Sequence, residues 1–308
     1  MSTVQTTDRV FNDSQLQEQF DQDGFVVVRL LPVEVATSLL AELLAQRASA
    51  PASTGQGLDQ SFFNQDLSYR KRVDALGTQA IGPVLDSILT DSRLTACGLV
   101  TKRPGGFPLN LHRDDAILRD PRHVVVNTWC ALGPVNAANG ALAMLRGSHR
   151  LPNLEVRGTA RFYEDYAETL KNWTEVIELS PGEAILFDNR LLHWSTPNST
   201  DEARHALRSV SVPRDERLVF FKVDAEGGGN RFEVLASEGE SAVDRTVGQI
   251  MRGDVVVPSL GHVANSNRPV TLTECAAILG RRMPSQPADV SPFRRVARKL
   301  RNVISRAM

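Results

Sequence analysis

The stretch LTACGLVTKRPGGFPLNLHRDDAILRDPRHVVVNTWCALG, residues 94–133, sets the character of the chain. Runs suited to strands (ACGLVTK, FPLNLH, HVVVNTWCAL) alternate in it with turn clusters rich in Gly, Pro and Asp. The pattern extends to about Val223 through GALAML, WTEVIEL, EAILF, LRSVSV and RLVFFKV. Many short strands with little helix between them argue against β-α-β units and for a sandwich, barrel or jelly roll. Segment 151–173 interrupts the strands, and its Phe162, Tyr163, Tyr166 and Trp173 suit either a lid or ordinary packing.

Upstream, residues 13–47 read as helix, strand, helix. Asp13 or Ser14 can cap the first helix, Gly24 breaks it, and FVVVRL (25–30) is a buried-type strand. Pro32 opens a second helix, with Val35, Leu39 and Leu43 at helical spacing. Residues 48–60 form a loop and 80–90 a short helix. The chain thus divides into an N-terminal segment (1–92), a β core (93–224), an extension (225–289) whose role the sequence leaves open, and a tail (290–308).

The 308 residues carry 35 basic and 36 acidic side chains, with 42% hydrophobic residues, so a disordered or fibrous chain is excluded. No apolar run is long enough to span a bilayer, and the start shows no secretory pattern. Three separated cysteines (Cys97, Cys130, Cys275) read as reduced thiols, which fits a cytoplasmic protein. The tail holds Arg294, Arg295, Arg298, Lys299, Arg301 and Arg306 and no acid, around an apolar stripe of Phe293, Val296, Leu300 and Val303. That is a basic amphipathic helix, suited either to an anionic membrane surface or acidic partner, or to docking on its own domain. The remainder is mildly acidic, so no nucleic-acid groove is expected.

In LHRD, His112 and Asp114 stand two apart, and in a strand such positions share a face about 7 Å apart. Asp115 then points the other way. The second motif is PGEAILFDNRLLHWSTPNSTDEARHALRSVSV, residues 181–212. A hairpin through the turn cluster 197–202 would set His193 beside Arg204. Ser195 shares the face of His193, and Arg208 shares that of Arg204. Two histidines and a carboxylate on strands form the facial triad of non-haem Fe(II) oxygenases, which leaves three of six metal positions open. A 2-oxo acid can take two and O2 the third, with an arginine on the acid's far carboxylate. His149 and His205 read as structural, His123 and His262 as surface residues, and Cys130 as a core filler.

With these parts in order, the chain resembles the phytanoyl-CoA dioxygenase-like family of Fe(II)/2-oxoglutarate oxygenases over most of residues 14–222. The likeness rests on FDQDGFVVVRLLP, the LHRD pair, NGALAMLRGSHR and PGEAILFDNRLLHWSTPNSTDEAR. It implies a mainly β fold with flanking helices, a double-stranded β-helix (jelly roll, cupin-like). It implies iron on His112, Asp114 and His193, 2-oxoglutarate held by Arg204 with Ser195, and Trp129 lining that pocket. Arg208 is the alternative or assisting arginine. Arg146 departs from the family, which usually has proline there, and is expected to loosen a turn. Halogenating relatives carry Gly or Ala in place of the carboxylate, so Asp114 favours hydroxylation over halogenation, with desaturation or another oxidation left open. The expected substrate is a small organic molecule, free or bound to a carrier or thioester. Two alternatives remain at this point. A cupin enzyme without a 2-oxo acid is disfavoured by Arg204 and Ser195, and a binding protein with a vestigial metal site by the intact triad.

Overall fold

The computed structural model describes residues 9–46, 57–120, 122–152, 160–224, 229–237 and 256–283. The basic tail lies outside them. Two antiparallel sheets make the core. The larger has the order β1 (Phe25–Arg29), β8 (Glu183–Asp188), β5 (Val126–Ala131), β10 (Arg204–Pro213), β3 (Ser92–Lys102) and β2 (Leu58–Gln60). The smaller has the order β4 (Leu109–His112), β9 (His193–Ser195), β6 (Leu142–Met144) and β7 (Glu175–Ile177). The inner faces meet in a cluster of Trp129, Ala131, Ile185, Phe187 and Ala206 against Leu142, Met144, Ile177 and Leu191. This is the expected jelly roll, with both edges of the larger sheet supplied from upstream of residue 93.

Helices cover the outer face of the larger sheet. Asp13 caps α1 (Ser14–Asp23) by accepting from Gln15 and Leu16 N–H, and Gly24, at φ +81°, ends it. Pro32 opens α2 (Val33–Ala45). The third, α3, runs from Leu67 to Ile88, much longer than the short helix expected at 80–90. Asp66 caps it, and Val73, Gly77, Ile81 and Leu85 form the stripe it buries at i, i+4 spacing. A Cβ on Gly77 would stand 2.5 Å from that of Cys97, so glycine sets how closely α3 approaches β3.

On the outer face of the smaller sheet, Leu111, Leu145, Tyr163, Leu170, Val270 and Cys275 form one cluster. The helix Leu272–Leu279 therefore packs against the 160–171 segment, and the aromatics of that segment serve packing: Tyr163 is 1% exposed. The extension also supplies β12 (Arg231–Ala236) and β13 (Ser259–Ala264), which join β11 (Val219–Val223) in a separate three-stranded sheet with β12 at its centre. Arg146, where the family usually has proline, takes part in contacts that reach beyond its turn. Its guanidinium pairs with Asp23 and, at 2.6 Å, with Glu175, and stacks on Phe25, tying α1 to β7.

Candidate metal centre

Strand β4 ends at His112, and Asp114 follows in extended chain whose N–H donates to Asn189 O at 3.0 Å. The strand on which His112 and Asp114 were expected is thus shorter, yet their i, i+2 alternation survives. His112 Nε2 stands 3.9 Å from Asp114 Oδ1. Strand β9 places His193 opposite His112 in register, with ring centroids 4.2 Å apart. One ligand atom from each of the three residues lies within 4.8 Å of the others, and among the described residues no other such group of three occurs.

Each histidine is oriented by its backbone. The Nδ1 of His112 lies 2.8 Å from Asn110 O and that of His193 2.9 Å from Leu191 O. A carbonyl can only accept, so Nδ1 carries the proton and Nε2 offers its lone pair inward. Burial, reinforced by His112, pushes His193 down to about 4, which leaves it neutral and ready to ligate. Burial raises the Asp114 carboxyl, but Arg208, His193 and His112 outweigh it and hold the group below the usual carboxylate range. Between the ligands, Arg113 turns to the opposite side. It is 3% exposed, donates to the carbonyls of Ser148, Leu151 and Pro152, and lies over the Tyr163 ring. Upstream of His193, the buried pair Asp188–Arg190 shapes the turn into β9.

The expected hairpin from His193 to Arg204 does not form. Strands β9 and β10 belong to different sheets, and the chain crosses the sandwich between them. Arg204 still reaches the site because it faces inward from the opposing sheet. It stands in register with Lys102, whose Nζ donates to Ser195 Oγ at 2.8 Å and also to Thr196 O. The Arg204 guanidinium lies 4.7 Å from the Trp129 ring centroid and donates through Nη2 to Gly140 O. Its Nε and Nη1 are buried without hydrogen-bond partners. Burial alone draws Arg204 down to about 9, and burial followed by Arg204 draws Lys102 down to about 7. Lys102 was not anticipated. A lone lysine at a strand end reads as a surface residue, and only its register with Arg204 reveals it.

Arg208 sits at the other end of the site. Its Nη2 is 3.0 Å from Asp114 Oδ2 and 3.0 Å from Asn127 Oδ1. A cleft of about 250 Å³ opens beside Asp114, walled by Phe62, Ile117, Val125, Asn127, Val210 and Phe220. A larger cavity of about 460 Å³, around His123 and Arg214, does not touch the triad. His149 is buried on Asp21 O, His205 bonds Thr101, and His123 and His262 face Glu216 and Asp224. None of the four joins the site.

The model of the phytanoyl-CoA dioxygenase (PhyH) family matches residues 20–206. A methylphosphonate hydroxylase of Gimesia maris is 23% identical over 241 residues, covering 70% of this chain and 90% of its own. A multifunctional dioxygenase, ausE of Emericella nidulans, is 26% identical over 129 residues, 39% of this chain and 42% of its own. Among solved structures, EctD of S. alaskensis with 2-oxoglutarate and 5-hydroxyectoine is 20% identical, with a TM-score of 0.49 over 71% of this chain and 83% of its own. The family match runs from the last turn of α1 through α2 and α3 to both histidines, the carboxylate and Arg204, so the chain belongs to the phytanoyl-CoA dioxygenase family, a class of oxygenases that uses Fe(II), 2-oxoglutarate and O2.

Proposed function

We propose that this protein is an Fe(II)- and 2-oxoglutarate-dependent dioxygenase that hydroxylates an unactivated C–H bond of a small organic substrate. One oxygen atom of O2 enters the substrate as hydroxyl and the other enters succinate, with loss of CO2. The observation that carries this reading is the intact triad together with a buried arginine, across the sandwich, that keeps two N–H groups unpaired. Two imidazoles and one carboxylate suit Fe(II), and a guanidinium with open donors suits a carboxylate in two hydrogen bonds.

His112, Asp114 and His193 would hold the iron. Arg204 would take the far carboxylate of 2-oxoglutarate, with Ser195 donating beside it, Trp129 walling the pocket and Lys102 adding charge. Bound iron and cosubstrate supply the oxidising chemistry, while the chain supplies position and a dry site. Phe62, Ile117, Val210 and Phe220 give the cleft beside Asp114 apolar walls that exclude water from the reacting C–H bond. Asp114 would fill the coordination position a halide needs, and the likeness to a methylphosphonate hydroxylase also favours hydroxylation. The substrate is taken either free or bound to a carrier or thioester. Three buried free thiols suit a reducing compartment such as the cytoplasm.

The test is succinate formation by Fe(II)-loaded protein. Amino acids, acyl thioesters, carrier-protein conjugates and natural-product intermediates are screened as substrates. The expected result is 2-oxoglutarate-dependent O2 consumption that a chelator stops. Oxidation of a substrate without any need for 2-oxoglutarate would overturn the assignment.

A further inference from the structure

Asp114 presents its two oxygens to different neighbours. Oδ1 faces the histidines, 3.9 Å from His112 Nε2, while Oδ2 lies 3.0 Å from Arg208 Nη2. The same nitrogen donates to Asn127 Oδ1 at 3.0 Å, and Asn127 is 1% exposed, so the guanidinium is fixed from behind. Strand β10 explains the placement. Arg208 stands in register with Gly98 on one neighbour and Trp129 on the other, on the face that also carries Arg204. Four steps of strand separate the two arginines, about 14 Å at ~3.4 Å per residue. Their partners differ. Arg204 keeps Nε and Nη1 unpaired, while Arg208 is already committed to a metal-ligand carboxylate and an amide.

Resting on the iron site proposed above, we infer that Arg208, braced by Asn127, is a positioning residue that limits Asp114 to one oxygen toward the metal. A carboxylate can also chelate through both oxygens, and that would consume a position. The proposed reaction needs three open positions of six, two for the 2-oxo acid and one for O2. Holding Oδ2 in an ion pair keeps the third one open.

The experiment uses the full chain loaded with Co(II), whose visible bands report coordination number and ligand set, first alone and then titrated with 2-oxoglutarate. Arg208→Met is expected to shift the bands before any 2-oxoglutarate is added and to weaken 2-oxoglutarate binding tenfold or more. Arg208→Lys is expected to restore most of both, and Asn127→Ala to shift the same bands by a smaller amount. Bands of Arg208→Met that superimpose on those of the unaltered protein overturn the inference, even if 2-oxoglutarate binds more weakly, since Arg208 would then touch the cosubstrate directly. Should Arg208→Met fail to fold, the Asn127→Ala spectrum decides, and unchanged bands overturn the inference. Failure of the unaltered protein to bind Co(II) would instead remove the metal site itself.

Discussion

The two faces of the larger sheet are built from the same strands and could hardly differ more. Along β10, Leu207 packs outward under the helices, while Arg204, Ala206 and Arg208 alternate inward. On β5, Cys130 faces out and Trp129 in, and on β3, Cys97 and Leu99 face out while Lys102 faces in. The outer face is dry and apolar, and burial pushes its thiols Cys97 and Cys130 up to about 12. The inner face buries two basic side chains, Lys102 and Arg204, and among the described residues neither has a carboxylate partner. Isolated buried charges are costly, and on the proposed reading the far carboxylate of 2-oxoglutarate offsets that cost. One face holds the fold together and the other accepts instability for chemistry.

The contrast can be broken most directly at the triad. His112→Ala, His193→Ala or Asp114→Ala should each abolish succinate formation while circular dichroism stays that of the folded protein. Activity surviving in both histidine variants would place the chemistry elsewhere. Next, Arg204→Ala should raise the KM for 2-oxoglutarate, because losing a desolvated charge partner costs about 2–5 kcal/mol, roughly 30- to several-thousand-fold. Arg204→Lys should recover only part, since an ammonium cannot reproduce the planar fork. On the outer face the effects should be of the other kind. Leu207→Ala should cost about 2–5 kcal/mol of stability, read by denaturant unfolding, and leave the KM for 2-oxoglutarate unchanged. A KM effect there would blur the two faces.

Acid sharpens the comparison further. His193 on the inner side and His149 outside the site are both held down at about 4, below the 6.5 of a free histidine. Between those values the unfolded chain binds the extra protons, so the metal-free protein should lose stability as pH falls from 6.5 to 4. At about 1.4 kcal/mol per tenfold, each histidine accounts for up to ~3 kcal/mol. Metal held by neutral His193 competes with protons for it, so the stabilisation that metal adds should itself fall in acid and the metal-loaded protein should show the steeper slope, while the His149 share is unchanged. An acid slope that metal leaves unchanged or makes shallower, measured by thermal unfolding, would contradict the ligand role of His193.

Much of this was legible in the residues. Strands announced themselves as β-branched runs between Gly and Pro turns, as at Gly182, whose φ of +84° and Cβ clash with Leu31 O permit only glycine. The triad followed from two short motifs. Pairings across the sandwich were not legible. His193 and Arg204 are near in sequence, which suggested a hairpin, whereas β10 pairs with β3 and β5. Lys102 and the Asn127–Arg208–Asp114 contacts depend on that register. The early start of α3 was hidden because residues 67–79 are largely polar around a narrow buried stripe.

Arg113, wedged between two ligands in sequence, has a kinetic consequence. It joins the LHRD strand to the 148–152 carbonyls and Tyr163, and Tyr166 of the same cluster bonds Val270, 104 residues along the chain. Lys102 and Ser195 meet across 93 residues. Contacts of such separation form late, because loop closure comes before any gain from them. His193 joins His112 only when β9 pairs with β4, so the unfolded chain holds at most part of the proposed ligand set. Divalent metal should slow unfolding and leave the refolding rate unchanged, as a chevron recorded with and without Ni(II) would show.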